Sequence, residues 1–213
     1  MSPAQETISA SIRARGALTK FVVDRRGIAA TEFAVIAPIM LVLLFATIQF
    51  CSALAMDRKV SLVARTIANL TSQGAVASTS DLTNYFGAAN YVMRPYVQPS
   101  YPTPNMTISE LYIDPSSGNA RVQWSVGSAP HSNGFVVSTI PPSMISRDPT
   151  TNAIIPNQYI IYSEVNTVYT PWLGNYGMMS AAVTLSDVAY ALPRQSTCVF
   201  YPSTPSPATC PTS

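Results

Sequence analysis

Hydrophobic and polar positions change period three times along the chain. From Phe33 to Met56 no residue is charged, a run longer than the about 20 apolar residues a helix needs to cross a bilayer core. Behind it, Val60, Val63, Ala64, Ile67 and Ala68 keep the i, i+3, i+4, i+7 spacing of one apolar helix face. The pattern predicts a single helix from Ile28 to Ser72, with Pro38 inside it and Ser72-Gln73-Gly74 as a glycine-capped stop. Ser78-Thr79-Ser80-Asp81 reads as the cap of a second helix, with Leu82, Tyr85, Phe86, Ala89 and Val92 or Met93 on its face and Pro95 ending it.

The period then becomes two. Met106–Ile113 and Ala120–Val126 read as a hairpin across the turn-forming Asp114–Asn119, with Val122, Trp124 and Val126 on one buried face. Gln158–Thr170 and Ala181–Ala191 read as a second hairpin, the turn falling on Pro171–Asn175 and a bulge near Ser186-Asp187. Residues 127–157, rich in Pro, Ser and Asn, are expected to be a long loop with a short helical turn after Pro141-Pro142. The expected fold class is α+β: a long N-terminal membrane-spanning helix continuing into a small domain of a helix plus an antiparallel sheet. The organisation read from this is a leader over 1–27, a transmembrane helix over 28–56, an extracytoplasmic domain over 57–197 and a Pro-rich tail over 198–213.

Composition sharpens the picture in one respect. Only 10% of the 213 residues are charged and the net charge is +2, too little to point to nucleic acid. The basic residues cluster early, at Arg13, Arg15, Lys20, Arg25 and Arg26, so the leader is expected on the cytoplasmic side and the rest of the chain beyond the membrane. In that compartment Cys198 and Cys210 are expected to form a disulfide rather than two free thiols, while Cys51 reads as a small buried hydrophobe. No phosphate loop or His-Glu-x-x-His is present, and the single histidine, His131, reads as an ordinary loop residue. Glu110, Asp114, Asp148, Glu164 and Asp187 read as scattered surface or turn acids. No enzyme, cofactor, metal or small-molecule substrate is expected.

The stretch Arg25-Arg26-Gly27-Ile28-Ala29-Ala30-Thr31-Glu32-Phe33 followed by the apolar span resembles the TadE-like family of pseudopilins of tight-adherence pili. Weaker similarities are Tyr159–Trp172, like the family's strand ending in Tyr-x-Pro, and Pro193-Arg194, like its late Pro-Arg motif. The resemblance implies cleavage between Gly27 and Ile28 by a prepilin peptidase, with Glu32 as the fifth mature residue. It also implies a single-pass protein of the bacterial inner membrane whose C-terminal domain is periplasmic. Its implied partners are membrane lipid, other pilins and the inner-membrane assembly platform. Glu32 is then a contact carboxylate for the new ammonium of a neighbouring subunit; the plainer alternative is a carboxylate solvated among the headgroups. Two other readings stay open: an uncleaved single-span protein with a binding ectodomain, and a secreted β-rich protein cleaved after Ala55.

Overall fold

The computed structural model describes residues 27–94, 103–171, 182–201 and 210. The leader with Arg25 and Arg26, the stop at Pro95 and most of the turn at Pro171–Asn175 lie outside the described residues. Two units are distinguished, Met1–Phe50 and Cys51–Ser213. Helix α1, Ile28–Ser72, begins in the first and ends in the second.

Within the second unit, the stripe expected from the sequence is the buried face of α1: Val60, Val63, Ala64, Ile67 and Ala68 are each at most 1% exposed. Helix α2, Thr79–Val92, starts at a reciprocal capping box. Asp81 N–H donates to Ser78 Oγ at 3.1 Å, and Ser78 N–H donates to Asp81 Oδ2 at 3.2 Å. Lys59 Nζ donates to the carbonyls of Val92 (3.1 Å) and Arg94 at the other end of α2, a cation where the helix dipole is negative.

Five strands follow: β1 (Asn105–Ile113), β2 (Ala120–Gly127), β3 (Val136–Val137), β4 (Gln158–Tyr169) and β5 (Val183–Ala191). All pairs are antiparallel and the order is β3-β2-β1-β4-β5. Both hairpins read from the sequence are present, joined by β1 against β4.

The bulge falls elsewhere than expected. β4 and β5 pair without a break from Ile161↔Ala191 to Tyr169↔Val183. The register shifts instead between β1 and β2, where Glu110 faces Trp124 but Leu111 faces Val122. Gln123 is the extra residue, so Val122 and Trp124 lie on opposite faces rather than one. Trp124, Met106, Ile108, Ile161 and Val165 pack against α1 and α2. Val122, Leu111, Ile113 and Ile160 form a second core on the other face.

That second face is covered by the stretch expected to be a long loop with a short helical turn after Pro141-Pro142, a turn that is present. It contains β3, a 3-10 turn at Pro142–Met144 and an antiparallel bridge between Arg147 and Ile154. Ile140, Met144, Ile145 and Ile154 pack onto the second core. The second unit therefore has three layers: helices, sheet and an irregular cover.

Candidate functional site

The span comes first. The most apolar 18-residue window of the helix has a mean hydropathy of 2.4, and only 6% of it is buried. Phe33, Val35, Ile36, Ile39, Met40, Leu41, Val42, Leu43 and Leu44 are all more than half exposed to the surroundings, an arrangement that is stable only against apolar solvent or neighbouring apolar surfaces. Pro38 lies inside the helix without ending it. Thr47 Oγ1 turns back to the Leu43 carbonyl at 2.8 Å, which satisfies the hydroxyl within the helix itself.

At the start of the span, α1 begins at Ile28, directly after Gly27. Gly27 is exposed, and a Cβ added there would meet nothing within 4 Å. Glu32 is exposed one helical turn beyond Ile28. It is the sole charged residue between Ile28 and Met56, and no ion pair to it exists among the described residues.

At the far end, Gly74 does not take the left-handed conformation expected of a glycine cap; the positive-φ glycines among the described residues are Gly118, Gly127 and Gly134. The last turn of α1 is instead tightened by bonds from Gln73 N–H to Leu70 O (3.2 Å) and Gly74 N–H to Thr71 O (3.4 Å). Arg194 completes it. Its backbone N–H donates to Ser72 O at 2.9 Å, and its Nη2 donates to Asn69 Oδ1 at 2.7 Å. The late Pro193-Arg194 pair therefore holds the helix terminus, with a cation at its negative end.

The described part of the tail, residues 198–201 and Cys210, joins the core. Cys198 and Cys210 are bonded, with an S–S distance of 2.01 Å and Cα atoms 5.8 Å apart. Cys198 and Val199 are fully buried. Phe200 makes a parallel bridge to Val76: Ala77 N–H donates to Phe200 O at 2.9 Å and Phe200 N–H donates to Ala75 O at 3.1 Å. The tail thus lies beside the link between the two helices. Cys51, read as a buried thiol, is exposed on α1.

Glu110 is not a surface acid. It is fully buried on the helix-facing side of β1. Its Oε1 accepts Val199 N–H at 2.5 Å and its Oε2 accepts Trp124 Nε1–H at 3.0 Å; Trp124 Nε1 also donates to Val199 O at 2.7 Å. Burial pushes the carboxyl up to about 7, against the pull of those two N–H donors. Alternation could have located it: Met106, Ile108 and Glu110 share one face, so an acid was due among core residues.

His131 is more than a loop residue. Its Nε2 lies 2.5 Å from Glu164 Oε2, and Tyr162 OH donates to Glu164 Oε1 at 2.8 Å. Phe135 stacks on the imidazole with ring centroids 4.7 Å apart. The pair fastens the irregular cover to β4. Asp114 and Asp148 do hold turns, accepting bonds from Ser116 and Ser117 and from Thr150 and Thr151 respectively.

Comparison with known proteins bears on the helix. Residues 27–69 match the family model of TadE-like protein. The TadE-like segment thus starts at Gly27 and ends at Asn69, three residues before α1 ends. It covers about a fifth of the chain. No curated protein and no solved structure matches the chain. The TadE-like match leaves out the sheet, the tail and the Pro193-Arg194 pair.

Proposed function

We propose that this chain is a minor pilin-like structural component in the assembly of tight-adherence pili, held in the inner membrane by α1 and cut after Gly27 by a prepilin peptidase. The observation that carries the reading is the arrangement at the head of α1. An exposed glycine directly precedes the first residue of α1, and one carboxylate follows a turn later before an uncharged span. Hydrolysis after Gly27 turns the backbone nitrogen of Ile28 into an ammonium. Glu32 of one subunit is then available to the ammonium of another, and apolar surroundings favour the pairing of such charges. The second unit lies beyond the membrane in this reading, where it meets other pilins and the assembly platform, and it carries no catalytic role.

Release after Ala55 fits less well. Ala53 packs against the core that contains Met56 and Val60, and that cut would remove it.

The test is the mature N-terminus together with Glu32→Gln. The reading expects Ile28 as the first residue, a Gly27→Leu chain that stays at precursor size, and a Glu32→Gln chain that is inserted and cleaved but supports no pili. A mature chain beginning at Met1 or Ser2 replaces it with the uncleaved anchor, and normal pilus numbers with Glu32→Gln remove the pairing role.

A further inference from the structure

The face of α1 opposite the core carries its own pattern. Leu54, Arg58, Leu62, Arg65 and Asn69 are exposed and spaced by four, four, three and four residues. They form one stripe on the helix, turned away from Met56, Val60, Val63, Ala64 and Ile67. Leu54 is 45% exposed and Leu62 54%. Neither Arg58 nor Arg65 makes an ion pair among the described residues. At its far end the stripe runs into a cavity of about 390 Å³ lined by Arg65, Asn69, Met144, Tyr190, Leu192 and Arg194. The bond from Arg194 to Asn69 Oδ1 fixes the second guanidinium there, and a guanidinium has further N–H groups to donate.

We propose that this stripe is a docking surface for an acidic helix of a different protein, with one of that helix's carboxylates seated between Arg65 and Arg194. Exposed leucines alternating with arginines match a helix that presents apolar residues flanked by Asp or Glu at the same spacing. Two arginines converging on one cavity suit a carboxylate, which a guanidinium binds with two parallel N–H bonds.

Charge argues against a second copy. Asp57 is the sole acid between Cys51 and Ser72, and it lies off the stripe. Two copies packed on this face, parallel or antiparallel, bring arginine against arginine. Length argues against lipid headgroups. From Arg58 to Asn69 the stripe runs about 16 Å along the helix, whereas each interfacial layer is only about 5–7 Å thick. The surface is separate from Gly27 and Glu32 and stands whether or not the chain is processed.

The test uses the full-length chain in its native cells, with a photocrosslinking residue at position 62 and, as a control, at the exposed Tyr91 position on α2. The expected result is a position-62 adduct to one other protein, its attachment mapped to an acidic helical segment, with none at position 91. Arg58→Glu with Arg65→Glu should lower the adduct at least tenfold at equal chain abundance. Replacing the partner's acids with arginine should restore it. If the double variant accumulates poorly, Arg65→Gln at normal abundance should still reduce the adduct several-fold. Adducts only to lipid, only to a second copy, or unchanged by charge reversal overturn the proposal, as does the lack of any adduct at position 62.

Discussion

Glu110 and Val199 stand 89 residues apart in sequence, yet the carboxylate of one accepts the backbone N–H of the other at the centre of the second unit. With Trp124 donating to both Glu110 and the Val199 carbonyl, three segments meet at a single buried acid. Its protonation should therefore register in stability. The carboxyl rises from 4.5 to about 7 on folding. Between those pH values the folded chain holds a proton that the unfolded chain has released, so stability falls as pH rises across that window and levels off above it. The total is on the order of 3 kcal/mol. In denaturant titrations of the full chain in detergent, Glu110→Gln should remove this part of the decline between pH 5 and pH 8. An unchanged pH profile in the variant would show that the carboxyl does not gain a proton on folding.

Arg194 should act on the end of α1 through two separable bonds. Arg194→Ala loses the exposed side-chain bond to Asn69 and should cost about 0.5–1 kcal/mol. Arg194→Pro also loses the N–H donated to the buried Ser72, leaving a carbonyl short of its partner, and should cost a further 1–3 kcal/mol or so. Amide exchange at Asn69–Gln73 reads the local effect; equal protection in both variants would contradict it.

The disulfide should leave one thiol. Alkylation of the denatured chain without reductant should modify Cys51 alone, and with reductant all three cysteines. Replacing Cys198 and Cys210 together with serine should lower stability by roughly 2–4 kcal/mol. Three reactive thiols before reduction would mean the bridge is not formed in the cell.

Gly127 should tolerate no side chain. Its φ is +147°, and a Cβ there would sit 2.1 Å from the Met106 carbonyl oxygen and 2.6 Å from Thr107 Cα, both backbone atoms of β1. Gly127→Ala should cost at least about 2 kcal/mol. Gly118→Ala meets only the tip of Ile154, at 3.1 Å, and should cost about 1 kcal/mol. The comparison of the two midpoints checks the assignment, because both glycines have positive φ and only one faces backbone.

Much of this architecture was legible in the chain because its elements obey simple periods. The stripe from Val60 to Ala68, the cap at Ser78 and Asp81, and both hairpins follow from spacing and turn chemistry alone. What escaped did so for identifiable reasons. One inserted residue, Gln123, inverts the phase of β2, and Val122-Gln-Trp124 reads as ordinary alternation unless the partner strand is known. The cover over 136–154 has no period, since its apolar residues Ile140, Met144, Ile145 and Ile154 come from a 3-10 turn, the residues flanking it and a bridge. The cap at Ser72 was assigned to Gly74, the nearest glycine; the donor that does the work comes from Arg194, beyond the reach of local sequence. At the head of α1 the reverse holds: Gly27, Ile28 and Glu32 are adjacent in the chain, so their relation is set by helix geometry.

The placement of the tail governs when the second unit can form during synthesis. Residues after Pro193 close the end of α1, sit against the link between the helices and supply the N–H that meets Glu110. A chain not yet extended past Pro193 lacks all three, so the end of α1, the link between the helices and Glu110 stay without these partners until that segment has been made. Folding of this unit consequently depends on contacts distant in sequence, which slow it. A stop codon just after Pro193 would thus remove the donors to Ser72, Ala75 and Glu110 together.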